Sequence, residues 1–103
     1  MWAQLITMRL KPGRGQDLPQ LFEQLQATEQ PGSGLLQTLT MRDQNDTELV
    51  YTLVVFESEE KARARERDPR RQEALKSVQA SMADMFAGPP QFVDLTVLEN
   101  VSR

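Results

Sequence analysis

Any chemistry this chain performs must be done without histidine or cysteine, because neither occurs among its 103 residues. The commonest general base and metal ligand is therefore missing, as are thiol nucleophiles, thiolate metal sites and disulfides. A hydrolytic triad of the usual kind cannot be assembled, and there is no Gly-x-Ser-x-Gly elbow. Gly13-Arg14-Gly15 and Gly32-Ser33-Gly34 read as turns, not as a phosphate loop between a strand and a helix. Glu57, Glu59 and Glu60 are spaced like the solvated acidic start of a helix, which explains them better than a metal site does. We expect neither a metal nor a cofactor.

The segment from Lys61 to Lys76 is basic inside a chain of net charge −3. Arg63, Arg67 and Arg70 fall on one helical face, which could hold an anionic ligand or nucleic acid. Pairing with neighbouring Glu and Asp residues accounts for them, and no aromatic residue lies among them to stack on bases. No nucleic-acid partner is expected. The aromatic residues are Trp2, Phe22, Tyr51, Phe56, Phe86 and Phe92. Phe22, Phe56 and Phe86, with Met8, Met82 and Met85, could line a pocket between helices and a sheet or simply fill the core. Tyr51 needs a partner for its hydroxyl, and Thr38 is the expected one.

The elements that would position these groups follow from the patterning. Trp2 to Leu10 alternates as a strand. Asp17 and Gln20 form a capping-box pattern, Pro19 sits in the first turn, and Leu18, Leu21, Phe22 and Leu25 make an amphipathic helix. Leu35–Arg42 and Thr47–Phe56 read as a hairpin around the polar loop Asp43-Gln44-Asn45-Asp46. Setting Arg42 opposite Thr47 pairs Leu36 with Leu53 and Thr38 with Tyr51. Leu39 and Met41 then share a face with Val50, Val54 and Phe56. Ser58 caps a short helix, and Asp68-Pro69 starts a second one carrying Leu75, Val78, Met82 and Met85. Gly88-Pro89-Pro90 stops it, and Phe92–Leu98 is the last strand.

That β-α-β-β-α-β order predicts an α+β, ferredoxin-like plait: an antiparallel four-stranded sheet with helices on one face and the first and third strands central. Residues 1–103 make a single domain. The uncovered sheet face measures about 400 Å² from the strand spacing and length, and much of it is aliphatic. It therefore predicts a homodimer through the sheet. No apolar run is long enough to span a membrane and no leader segment is evident, so a cytoplasmic protein with no membrane partner is expected.

Several features together resemble the antibiotic biosynthesis monooxygenase (ABM) superfamily of dimeric α+β barrels. They are the first strand running into Leu10-Lys11-Pro12-Gly13, the Leu21-Phe22 helix, and the junction Val54-Val55-Phe56-Glu57-Ser58-Glu59-Glu60-Lys61-Ala62. Asp68-Pro69 and Pro89-Pro90 add to them. The resemblance implies a cofactor-independent monooxygenase acting on a small phenolic or quinol-type aromatic. It also implies a pocket drawn from Gln4, Ile6, Met8, Phe22, Tyr51, Phe56, Arg65, Leu75, Met82 and Phe86. Within that set Tyr51, Gln4 or Arg65 would orient a phenolate. The haem-degrading branch has an Asn, a Trp and a His where this chain has Ile6, Arg65 and Leu75, so haem degradation is not expected. No catalytic residue carries over. A non-catalytic small-molecule-binding dimer remains open, as does an isomerase or decarboxylase using a carboxylate such as Asp94.

Overall fold

A computed structural model describes residues Met1 to Arg103. Four antiparallel strands form one sheet: β1 (Trp2–Arg9), β2 (Leu35–Arg42), β3 (Leu49–Phe56) and β4 (Gln91–Thr96), in the order β2-β3-β1-β4. The helices are α1 (Leu18–Gln26), α2 (Glu59–Glu66) and α3 (Pro69–Met85). The architecture is the ferredoxin-like α+β plait, with β1 and β3 central as the patterning predicts. None of the helices is long and apolar enough to cross a membrane.

Strand alternation sorts side chains onto two faces. The helix-covered face holds two cores. Leu10, Val50, Leu18, Leu21, Val78, Met85 and Phe86 pack together at one end; Trp2, Val54, Phe56 and Ala62 pack at the other. Local chemistry sets the helix ends. Ser58 Oγ accepts from Lys61 N at 3.1 Å to cap α2, and Asp68 Oδ1 accepts from Arg70 N at 2.9 Å to cap α3 behind Pro69. Asp17 does not cap α1: its carboxylate takes Arg14 Nε at 2.7 Å, and a single 3-10 turn over Gly15–Asp17 leads into the helix instead.

The hairpin differs from the expected register. Arg42 lies opposite Val50, Thr40 opposite Thr52, and Met41 opposite Tyr51. The cause is in the loop, where Asp43 Oδ1 accepts from the backbone N–H of Asn45 and Asp46, and Asp46 Oδ1 accepts from that of Glu48. These turns of the Asx kind keep Thr47 and Glu48 out of the strand. The resulting three-residue shift, being odd, exchanges the two faces of β2 relative to β3. Thr38 and Thr40 therefore lie on the helix side with Val50 and Val54. Leu39 and Met41 join Leu53, Val93 and Leu95 on the open side. Tyr51 lies there too, and its hydroxyl donates to Asp43 Oδ2 at 2.9 Å rather than reaching Thr38.

Candidate functional site

The helices cover the sheet unevenly. β3 is buried at Val50, Val54 and Phe56, whereas every residue of β4 is exposed. β1 pairs with both, bringing Gln4 opposite Asp94 and Ile6 opposite Phe92 on the helix side. Between α2 and this bare strand lies an open cleft of about 330 Å³, lined by Gln4, Arg63, Glu66, Phe92 and Asp94. Phe92 is 57% exposed. An aromatic ring left bare inside a concavity is surface that a small apolar body would cover.

The polar rim is held in place by its own contacts. Gln4 Nε2 donates to Asp94 Oδ1 at 2.9 Å, and Arg63 donates to Asp94 Oδ2 at 2.8 Å. Arg63 also bonds Glu66 at 3.1 Å and Glu59 at 3.3 Å, and its guanidinium lies 5.1 Å from the centroid of the Trp2 ring. The Gln4 hydrogen bond holds the Asp94 carboxyl below the usual carboxylate range. Desolvation works against this, and the hydrogen bond and charge of Arg63 add to it. Asp94 is thus an ionised acceptor in a fixed orientation, whose proton affinity moves away from that of a base working near neutral pH.

The ten pocket residues read from the sequence are dispersed. Gln4 lines the cleft, and Ile6 packs beside it against the Trp2 cluster. Phe56 belongs to that cluster's buried core. Met8, Met82 and Phe86 pack in the other core, and Leu75 is half-buried on α3. Phe22 lines a second cleft of about 280 Å³, toward the β2 edge of the sheet, with Leu18, Thr40, Arg42 and Val50. Arg65 makes a two-pronged ion pair with Glu29, 2.7 Å at its shortest, and stacks over Phe56. Arg71 lies beside that pair with its Nε buried and unbonded; burial first, then the Arg65 charge, lowers its pKa. Tyr51 stands on the far side of the sheet.

The sequence reading missed Phe92, Arg63 and Glu66 as site residues. The usable signal was the alternation Phe92-x-Asp94, which puts both on one face of an edge strand. Arg63, Arg67 and Arg70 do not share a helical face, because the chain breaks at Arg67-Asp68 and Arg70 starts a different helix.

A family model for antibiotic biosynthesis monooxygenases matches residues 1–77, which run from β1 into the first half of α3. The chain belongs to that family. The likeness extends to solved structures across nearly the whole length. An MhuD variant with two manganese protoporphyrin IX molecules bound per active site superposes at TM-score 0.77, with 17% identity over 100% of each chain. A Bordetella bronchiseptica protein named for the same family gives 0.75 with 18% identity, over 95% of this chain and 97% of its own. A Nitrosomonas europaea protein of unknown function gives 0.74 with 15% identity, over 99% and 93%. At such identities these three establish the fold alone. No curated protein matches the sequence significantly.

A porphyrin does not fit the residues of this ABM chain. With no His and no Cys there is no imidazole or thiolate for the iron, and Ile6, Arg65 and Leu75 occupy the positions read against the haem-degrading branch. The one tyrosine faces away from the helices.

Proposed function

We propose that this single ABM-like domain works as a cytoplasmic homodimer that binds a small phenolic or quinol-type aromatic in the β1–β4 cleft and oxygenates it without a cofactor. The observation that carries the reading is the bare Phe92 ring beside the fixed Gln4–Asp94–Arg63 rim, in a chain belonging to this family. The aromatic body packs on Phe92 and Ile6, and a ring hydroxyl donates to Asp94. The electrons come from the substrate. In an anthrone, loss of a proton gives an electron-rich anion that reduces O₂. The ring CH₂ becomes C=O, and the second oxygen atom leaves as water. The protein contributes orientation and exclusion of water from one face of the ring.

Dimerisation through the open sheet face completes the reading. Leu39, Met41, Val93 and Leu95 are between 38% and 50% exposed there, a larger aliphatic patch than scattered surface residues make.

The test is O₂ uptake by metal-stripped protein with anthrones, naphthols and hydroquinones. Enzyme-dependent uptake with quinone formation is expected. Binding with no uptake across the panel would favour the non-catalytic binding dimer. Turnover without O₂ demand, following a carboxylate in its pH profile, would point to an isomerase or decarboxylase.

A further inference from the structure

The rim of the cleft is unbalanced in both charge and hydrogen bonding. Arg63 is its single cation, and it is shared by Asp94, Glu66 and Glu59. The guanidinium is already directed at these three oxygen partners and laid over Trp2. The acceptors are less occupied. Each Asp94 oxygen takes one hydrogen bond, the amide oxygen of Gln4 takes none, and Glu66 bonds through one oxygen only. A carboxylate oxygen has about two acceptor sites, so acceptor capacity remains in the lining that Gln4, Glu66 and Asp94 share with Phe92. The second cleft offers the reverse, with Arg42 at its edge and no acidic residue in its lining.

We infer that the β1–β4 cleft discriminates by charge: it takes carboxylate-free aromatics whose ring substituents donate hydrogen bonds, and Asp94 is the residue that rejects their carboxylated analogues. Resting on the cleft as the ligand site, this narrows the substrate class to polyhydroxylated rings without an acid group. A ring acid brought beside Asp94 and Glu66 meets like charges and finds one guanidinium that is already committed. A vicinal diol finds two open acceptors. In a cleft that is only partly screened by solvent, the like-charge contact corresponds to about tenfold in affinity.

The experiment is titration of the full-length protein with 4-methylcatechol and with 3,4-dihydroxybenzoate, at low and high salt, under nitrogen so that no turnover occurs. The diol is expected to bind about tenfold more tightly, with the gap closing at high salt. Asp94→Asn, which is nearly isosteric, should reduce the gap to about threefold or less by strengthening the acid. Glu66→Gln, at an exposed helical position, should reduce it in the same direction. Equal or tighter binding of the acid by the wild-type protein overturns the inference, as does a gap unmoved in both variants, or failure of both probes to bind. The oxygenase reading fails separately: diol preference without O₂ uptake in air leaves the charge filter standing, whereas uptake that favours the acid leaves only the oxygenase.

Discussion

β3 and β4 flank the same central strand, both antiparallel to it, yet they live in different environments. β3 buries Val50, Val54 and Phe56 beneath helices, while β4 exposes all six of its residues on both faces. The difference is one of cover. α1 and α3 meet over the Leu10–Val50 end, α2 sits on Trp2 and Phe56, and nothing of comparable size lies over Phe92 and Asp94. Stability is therefore concentrated at β3. β4 offers an aromatic and a carboxylate to one side, Val93 and Leu95 to the other, and so carries apolar surface that the helices leave uncovered on both faces.

The contrast is broken most directly by truncating one ring on each strand. Phe56→Ala removes a core side chain and should cost about 3–5 kcal/mol, read as a fall in the urea midpoint at unchanged slope. Phe92→Ala should cost less than about 1 kcal/mol while weakening binding of a naphthol. Equal destabilisation by the two changes would mean that β4 is covered in solution by something this single chain does not supply.

The open face separates assembly from folding. Leu95→Asp puts a charge into the aliphatic patch without touching the helical core. It should convert a dimer to a folded monomer in light scattering at micromolar concentration, with helix content by circular dichroism unchanged. A wild-type protein that is already monomeric would remove the dimer, and with it the explanation for Leu39, Met41, Val93 and Leu95.

The two well-connected arginines sharpen the comparison further. Arg65, with 16% of its side chain exposed, pairs with a Glu29 that is itself largely covered. Although burial opposes it, hydrogen bonding from Arg65 and Ser33 holds the Glu29 carboxyl below the ordinary range. Arg65→Ala leaves that carboxylate partly buried and unpaired, with an expected loss of about 2 kcal/mol. Arg63 has more contacts, but its partners are half-exposed. Arg63→Ala should barely move the melting temperature and register instead in the ligand titration.

How much of this could be read in advance follows the same division. The plait, its element order and its central strands were legible because alternation and capping are local signals: Ser58 and Asp68 cap as their types require. The hairpin register was not. Leu35 to Arg42 carries apolar residues on both alternating sets, so hydrophobicity alone does not choose a face. The choice lies with Asp43 and Asp46, whose carboxylates lengthen the loop by bonding its backbone. That one slip put Thr38 on the helix side, opposite Val54, and left Tyr51 beside Met41 with Asp43 as its partner. The cleft was harder still. Gln4, Asp94 and Arg63 are far apart in sequence and meet only because β4 pairs with β1 and α2 lies alongside. Asp94 was readable as a candidate base; that hydrogen bonds from Gln4 and Arg63 hold its carboxyl below the usual range depends on neighbours that no local pattern announces.

The smallest expected effect tests that slip. Tyr51 and Asp43 form a pair on the face away from the cleft, so Tyr51→Phe should leave turnover unchanged. Its consequence should appear in the acid limb of stability. Asp43 is held below its ordinary range by the backbone N–H of Asn45, then by the Tyr51 hydroxyl and the N–H of Asp46. A carboxyl depressed on folding contributes stability that is fully present above its unfolded pKa, and that contribution fades as the pH falls through the folded one. Wild type and Tyr51→Phe should therefore differ most at neutral pH, and their melting temperatures should converge through and below the carboxylate range. Asp43→Asn should flatten that limb more strongly, because it removes the titrating group while its amide oxygen can still accept from the loop N–H groups. Parallel curves for wild type and Tyr51→Phe down to the acid transition would mean that the hydroxyl finds another partner in solution. Loss of turnover in that variant would place Tyr51 back at the site, on a face that the cleft reaches only through a second subunit.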